Sequence, residues 1–321
     1  MRESAKKFLK SMLSESSRHH AQKTEKKSTE KTTDPSAQQN DPTELDYGDN
    51  IVVNHPELDN SKIIFEGKNN ILFCEEKFTL RKSEVRFTGD NAVIYLSKNK
   101  AKQHHLGLLF VSFNSVIFIG PETKFNMGRA VDIHAMDGKH IIIGEDCLFS
   151  WNPWVFTSDG HPIYDTETKK RLNPGRSVLI GDHVWIGQGV SILKGSVIGS
   201  GAVIGSNAVL SGKRYSSNSS YAGMPARQIK QGIFFTKQDI KHADPEKLKS
   251  TTEHSSEKFI YSYDKKEQLT LEEIERGLSA AKTAKKKLAY IQKHLAGQHG
   301  KNRFYVATDE PLAKKSDKAT R

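Results

Sequence analysis

The sequence predicts an all-β core in which the chain winds as a parallel β-helix of triangular cross-section. Three observations predict it: aliphatic residues recur every six positions over residues 178–210, apolar triplets recur at a longer interval upstream, and helical periodicity is missing between them. A six-residue unit provides one short strand and one sharp turn, so three units close a coil of about 18 residues.

The six-residue period is the strongest of these signals. A small or β-branched residue lies two positions before each large aliphatic residue, and Gly follows four of the six. We expect the aliphatic side chains to point inward and stack in successive coils, while Gly permits the unusual dihedral angles of the turn. The six positions are Ile180, Ile186, Ile192, Ile198, Ile204 and Leu210.

The upstream coils are expected to be longer and less regular, up to about residue 140. Apolar triplets begin at residues 71, 93, 116 and 141, each after a turn signal rich in Gly, Asn or Ser. A six-residue phase runs from Ile119 to Val155, with the polar residue Asp137 in one apolar slot. The phase shifts across residues 157–177, which predicts an insertion there.

Both ends of the chain differ from the repeats. Residues 1–50 are predicted to be a disordered polar and basic segment, because a stretch with so few apolar side chains cannot offset its ordering entropy. Phe8, Leu9, Met12 and Leu13 permit a short helix that attaches weakly to an anionic membrane, although a frayed terminus is the interpretation we favour.

Residues 236–321 are predicted to be a charged C-terminal extension, with 19 Lys and Arg against 13 Asp and Glu. Thr270 and Glu273 form a capping-box pattern that opens a helix over about residues 270–296. Its apolar stripe, which includes Leu271, Ile274 and Leu278, is expected to pack against the β-helix or a neighbouring subunit.

Composition excludes several classes of protein. Only 36% of residues are hydrophobic, and no apolar stretch approaches the roughly 18 residues of a membrane-spanning helix or resembles a secretory signal. The two cysteines exclude a disulfide framework and a Cys-rich zinc module. We therefore expect a cytoplasmic protein, with association at the inner face of the membrane left open. The net charge of +11 suits an anionic partner, but no aromatic-basic motif indicates nucleic acid.

Residues 115–232 resemble the hexapeptide-repeat acyltransferases with a left-handed β-helix. The resemblance is greatest to the galactoside and maltose acetyltransferase branch, which includes bacterial O-acetyltransferases of capsular polysaccharide. It rests on Ile-Gly-Glu-Asp at residues 143–146, Thr-Ser-Asp-Gly-His-Pro at 157–162, Val-Trp-Ile-Gly at 184–187 and Ala-Gly-Met-Pro-Ala-Arg at 222–227. It implies left-handed coils over residues 51–235, acetyl-CoA as co-substrate, no metal, and a homotrimer with sites between subunits.

The same resemblance assigns His161 as the general base that takes the proton of the acceptor hydroxyl, a task suited to imidazole near neutral pH. Either Asp159 or a backbone carbonyl would orient its ring. The residues implied for the donor are Trp185 beside the thioester, Gln188 and Ser206 along the pantetheine arm, and Lys213, Arg227 and Lys230 near the CoA phosphates.

On the acceptor side the match to the family is weaker. Asp137 aligns with an acceptor-lining Asp, whereas a family Asn is replaced near Arg129. Residues 150–156 are longer and more aromatic than usual, and Trp151 and Trp154 are candidates either to stack on the rings of a saccharide acceptor or to pack the coil. The resemblance also places Trp185 at the acceptor end of the cleft.

The sequence therefore predicts an acetyl-CoA-dependent O-acetyltransferase for a bacterial capsular or other cell-surface polysaccharide, with a capsule-assembly partner left open. One alternative is an acetyltransferase for a small sugar or nucleotide sugar. A metal enzyme of the γ-class carbonic anhydrase type would use histidines such as His134, His140, His161 and His183. The last alternative is a β-helix scaffold without enzymatic activity.

Overall fold

A computed structural model describes residues 47–126, 131–241, 243–297 and 300–308. They lie within one compact unit that begins at Leu45. The predicted disordered segment, apart from its last four residues, lies outside the described residues, as do Arg129 and the chain from residue 309.

The described chain winds through seven full coils and a partial eighth, and each full coil contributes three strands. In chain order the coils contain β1 (Ile51–Val53), β2 (Glu57–Asp59) and β3 (Lys62–Phe65); β4 (Ile71–Cys74), β5 (Thr79–Arg81) and β6 (Glu84–Phe87); β7 (Val93–Leu96), β8 (Gln103–His104) and β9 (Leu108–Val111); β10 (Val116–Ile119), β11 (Lys124–Phe125) and β12 (Asp132–Ala135); β13 (His140–Ile143), β14 (Leu148–Phe149) and β15 (Trp154–Phe156); β16 (Val178–Ile180), β17 (Trp185–Ile186) and β18 (Ser191–Leu193); β19 (Val197–Ile198), β20 (Val203–Ile204) and β21 (Val209–Ser211); and β22 (Arg214–Tyr215), β23 (Ser219–Ala222) and β24 (Arg227–Gln231).

These strands form three faces, which confirms the predicted β-helix. Face A is the parallel sheet β1-β4-β7-β10-β13-β16-β19-β22, and face C is the parallel sheet β3-β6-β9-β12-β15-β18-β21. Face B consists of β2-β5-β8 followed by β11-β14-β17-β20-β23, with β24 antiparallel to β23 at its end. The chain therefore turns three corners per coil: from A to B, from B to C, and from C to A.

The stacked aliphatic residues form the core, as the six-residue period predicts. Ile180 pairs with Ile198, Ile186 with Ile204, and Ile192 with Leu210, and all six are at most 1% exposed. The turns between them leave no room for side chains at some positions. A Cβ added to Gly187 would lie 2.7 Å from the backbone nitrogen of Ser206 in the next coil.

Residues 157–177 leave the coil between β15 and β16, at the corner between faces C and A. Tyr164 and Arg171 form an antiparallel bridge within this insertion, which we call the arm. The predicted insertion is confirmed at this place, and it carries His161.

The C-terminal extension contains three helices among the described residues: α1 (Pro245–Lys249), α2 (Leu271–Ala280) and α3 (Ala284–His294). The single helix predicted over about residues 270–296 is therefore wrong. The capping box at Thr270 is present, but Ala281 adopts an extended backbone and Thr283 caps α3 by accepting a hydrogen bond from the Lys286 nitrogen. A second N-cap residue begins a new helix because its side chain satisfies an otherwise unpaired backbone donor.

Helices α2 and α3 cover the outer side of face A. Leu278 and Ile291 belong to one buried cluster with Val93, Val116 and Ile142 of the sheet. Strands β7, β10, β13, β16 and β19 of face A are consequently buried on both sides, and the predicted apolar stripe packs on the β-helix. No helix in the described part of the chain is long and apolar enough to cross a bilayer.

Candidate functional site

The arm is anchored to the β-helix through Asp137, in the turn between β12 and β13. Arg171 donates to both carboxylate oxygens of Asp137, at 3.3 and 2.7 Å, and the backbone nitrogen of Gly175 donates to Asp137 Oδ2 at 2.7 Å. Hydrogen bonding from Arg171 is the main reason that the pKa of Asp137 lies below its usual value. Both oxygens of this predicted acceptor-lining residue are thus engaged with the arm.

A second set of contacts holds the backbone around His161. The Asn173 side chain donates to Asp159 Oδ2 at 2.8 Å and to the His161 carbonyl at 2.9 Å, and its Oδ1 accepts from the Ile163 nitrogen at 2.6 Å. Lys194, in the turn after β18, forms an ion pair with Asp159. This contact is the largest cause of the lowered pKa of Asp159.

Sequence reasoning missed Asn173, Lys194 and Arg171. No motif marks them. The only available signal is that Lys194 falls at the same corner of the β-helix as the arm, one coil further along.

The His161 side chain is exposed, and its ring forms no hydrogen bond with any residue that the structure describes. The Asp159 carboxylate binds Asn173 and Lys194, and within the described ranges neither it nor a carbonyl orients the ring. The backbone of His161 is held, and because no described residue engages either ring nitrogen, both can meet another molecule. An imidazole in this state can accept a proton from a bound hydroxyl.

Trp185 lies on β17 of face B and is 39% exposed. Its indole nitrogen donates to Ser150 Oγ at 3.4 Å, and its ring centroid is 5.6 Å from that of Phe235. Trp185 therefore exposes part of its ring to solvent, while Ser150 and Phe235 contact the rest of it.

The support beneath Trp185 is the buried residue His183. Its ring stacks between Phe235, at 4.2 Å, and Phe259, at 3.7 Å. His183 Nδ1 is 2.7 Å from Asp146 Oδ2, whose carboxylate also accepts from Lys237. The C-terminal extension thus packs directly on the turn that leads into Trp185.

The remaining predicted donor residues lie at other places on the β-helix. Gln188 and Ser206 occupy equivalent exposed turns between faces B and C in adjacent coils, where the Asn207 nitrogen donates to the Gln188 carbonyl at 2.7 Å. Lys213 lies at the corner between faces C and A, in a cleft of about 270 Å³. Arg227 and Lys230 are exposed on β24, at the end of face B.

Trp154, predicted to contact the acceptor, is 51% exposed on face C and makes an edge contact with Phe156 at 5.6 Å between centroids. The predicted residues are consequently divided among two faces and two corners. His161, Asp137 and Lys213 share the corner between faces C and A, whereas Trp185 belongs to face B. A single copy of the chain does not gather them in one pocket.

The positions of the histidines and cysteines bear on a metal site and on a cysteine nucleophile. His134 lies on face C, His140 on face A and His161 on the arm, and no group of three His, Cys, Asp or Glu among the described residues could hold a metal ion. Cys74 and Cys147 are buried, and burial raises the pKa of each thiol to about 12, so neither is an ionised nucleophile near neutral pH.

Comparison with known proteins supplies the context. Residues 177–212 match the family model described as bacterial transferase hexapeptide (six repeats). The polysialic acid O-acetyltransferase of Neisseria meningitidis is 31% identical over 119 residues, which cover 37% of this chain and 53% of that protein. The polysialic acid O-acetyltransferase of Escherichia coli O1:K1 / APEC is 37% identical over 133 residues, which cover 41% of this chain and 42% of that protein.

Among solved structures, the crystal structure of the polySia specific acetyltransferase NeuO superposes with a TM-score of 0.52 at 31% identity. The match covers 63% of this chain and 93% of that chain. The present chain spans about half the length of the curated relatives that it matches.

Proposed function

The chain belongs to the hexapeptide-repeat transferases, and from that premise we propose that it transfers the acetyl group of acetyl-CoA to a hydroxyl of an acidic cell-surface polysaccharide. The observation that carries the proposal is His161, an exposed imidazole that pairs with none of the described residues, on an arm whose backbone is held by Asn173 and Asp137. The acceptor class is supported by the relatives described as acting on polysialic acid.

In this reaction the His161 imidazole accepts the proton of the acceptor hydroxyl as the oxygen attacks the carbonyl carbon of the thioester. The new C–O bond forms, the C–S bond breaks, and the CoA thiolate leaves with the proton returned from the imidazolium. General-base assistance of this kind contributes on the order of 10²- to 10⁴-fold. The transfer is direct, because both thiols are buried and protonated.

The donor is proposed to lie where a second copy of the chain meets the arm. Face A is covered by α2 and α3, whereas faces B and C expose Trp185 and Trp154. A homotrimer that packs through faces B and C would bring Trp185 of one copy toward His161 of another. In that assembly Gln188 and Ser206 would hold the pantetheine arm through their backbone amides. Lys213, Arg227 and Lys230 would pair with the CoA phosphates, since basic side chains bind phosphate through charge-assisted hydrogen bonds.

The charge of the chain agrees with an acidic acceptor. A net charge of +11 creates a positive field that raises the local concentration of a polyanion. We place the reaction in the cytoplasm, where acetyl-CoA is available.

The test is release of free CoA from acetyl-CoA, measured with polysialic acid, dextran, free N-acetylneuraminic acid and a nucleotide sugar as acceptors. We expect turnover with polysialic acid and little with dextran. Turnover with only the small sugars would overturn the polymer acceptor.

The variant His161→Ala should lower kcat by about 100-fold or more and leave CoA binding unchanged. His254→Ala, at an exposed histidine outside the arm, is the matched control and should keep full turnover. Full turnover in His161→Ala would refute the role of the base. CoA binding without any turnover in the unmodified chain would favour the scaffold alternative.

A further inference from the structure

A second cavity lies where α2 and α3 meet the corner between faces C and A. We call it the lysine cavity; its volume is about 230 Å³, and its polar and aromatic walls are Phe113, Asn114, His140, Ser279, Lys282 and Lys287. None of the residues that line it is acidic. This distinguishes it from the cleft beside Lys213, where Glu272 and Glu275 accompany the basic residues.

Lys287 is the unusual member of this cavity. It is 2% exposed and forms no ion pair with any described residue, although lysine is rarely buried without a partner. Its ammonium group has three hydrogen-bond donors, yet the single contact is to Asn114 Oδ1 at 3.4 Å. Burial, together with the charge of Lys282, lowers the pKa of Lys287. Among the described residues this buried cation therefore lacks an anionic partner.

Polar groups around Lys287 can serve the same ligand. His140 is 2% exposed, and its Nδ1 has no hydrogen-bond partner in the part of the chain that the structure describes. Lys282 and Ser279 are exposed at the rim and add a second cation and a hydroxyl. Two cations and several neutral donors in one small cavity suit a carboxylate or another compact anion.

The mouth of the cavity adds an apolar surface. The Phe113 ring is 53% exposed and lies over Gly138, where an added Cβ would be 3.7 Å from the ring. An aromatic wall beside a few convergent polar groups is the usual composition of a small-molecule site. At about 230 Å³ the cavity is smaller than the roughly 300 to 1,000 Å³ of a typical ligand pocket, which limits its occupant to a single small unit.

The lysine cavity also lies next to the base of the arm. Gly138 lines the cavity, and the preceding residue, Asp137, is the anchor that Arg171 and Gly175 of the arm hold. A polymer bound here would have its neighbouring units beside the segment that carries His161. A tethered acceptor raises its own effective concentration at the reaction centre.

We propose that the lysine cavity binds one carboxylate-bearing sugar unit of the acceptor polymer outside the reaction centre and so retains the polymer beside the arm. The inference rests on the proposed function for its substrate class. It assigns a binding role to the C-terminal extension, because Lys282 and Lys287 both belong to that part of the chain.

The test is equilibrium binding of polysialic acid to the full chain carrying His161→Ala, without acetyl-CoA. Lys287→Met and Lys282→Ala should each weaken binding by roughly tenfold, the effect of losing a hydrogen bond to a charged group. Lys286→Ala, which removes the same charge from an exposed neighbour on α3, is the matched control and should change binding less than about twofold. Lys287→Met should not lower Tm, since it removes an uncompensated buried charge.

In the chain with His161 intact, Lys287→Met and Lys282→Ala should each raise KM for the polymer and leave kcat unchanged. The rate with free N-acetylneuraminic acid should also stay unchanged. Unaltered polymer binding in both variants, or an equal loss in Lys286→Ala, would overturn the proposal. Saturable binding of inorganic phosphate that Lys287→Met abolishes, with polymer binding intact, would instead assign a free-anion site. If the cavity binds polymer but no acetyl group is transferred, the proposed function fails and this inference stands.

Discussion

The buried ion pair between Arg303 and Asp182 joins the C-terminal extension to the turn that precedes Trp185. Both side chains are 4% exposed. Arg303 donates to Asp182 through Nε at 2.9 Å and Nη2 at 2.8 Å, and its Nη1 donates to the Leu295 carbonyl at 3.0 Å. Replacing Arg303 with Met keeps an apolar stem in place but leaves the Asp182 carboxylate buried without its cation.

The magnitude follows from this burial. Removing one partner of a buried ion pair costs about 3 to 5 kcal/mol, mostly because the remaining charge is uncompensated. For a folded unit of this size each kcal/mol corresponds to a few degrees, so Tm should fall by on the order of 10 °C. The pair joins residues 121 positions apart in the sequence, so its loss should weaken the attachment of the extension, which the apolar cluster on face A still holds.

Urea unfolding and calorimetry would measure the effect, with Arg276→Met on the exposed side of α2 as the control that leaves Tm unchanged. The double variant Asp182→Asn with Arg303→Met should regain stability relative to additivity by about 2 kcal/mol, because it removes both charges. A loss below about 1 kcal/mol in Arg303→Met, or strict additivity in the cycle, would refute the reasoning.

Three further outcomes are expected. Burial lowers the pKa of His104 to about 4 in the fold, against about 6.5 in the unfolded chain. Its contribution to the free energy of unfolding is therefore complete above pH 6.5 and falls by about 3 kcal/mol in total as the pH drops toward 4. His104→Leu should reduce the pH dependence of the free energy of unfolding, measured with urea between pH 4.5 and 7.5, and an unchanged dependence would contradict this reasoning. Arg171→Met should loosen the arm at Asp137, which keeps its hydrogen bond from Gly175, and so lower kcat without changing Tm, because the ion pair is at the surface. A fall in Tm alone would show a purely structural role. Phe235→Ala should remove one ring stacked on His183 and lower the free energy of unfolding by about 3 kcal/mol, which calorimetry would detect, whereas a change below about 1 kcal/mol would show that this ring is dispensable.

The β-helix could be predicted because its information is local and periodic. Ile180, Ile186 and Ile192 repeat every six residues, and each repeat specifies one strand, one turn and one inward side chain. A break in that phase was sufficient to locate the arm. The helical extension was predicted less well, since the apolar stripe continues past the interruption at Ala281–Thr283 and a single Thr283 cap decides where α3 begins.

The candidate site was also predicted only in part. His161 and Trp185 were found from short motifs, but the residues that hold the arm, Asn173 and Lys194, have no motif and act through contacts across a corner of the β-helix. Their roles depend on the path of the inserted chain, which no period describes.

The six-residue coil, the place of the insertion and the histidine that it carries can be predicted from the order of the amino acids, because each follows from residues near one another in the chain. The cover on face A, the contact of Arg303 with Asp182 and the contact of Lys287 with Asn114, 173 residues away, became visible in the folded chain. Such contacts depend on how distant segments pack, and the free energy of burying their charges is set by neighbours that the linear order does not reveal.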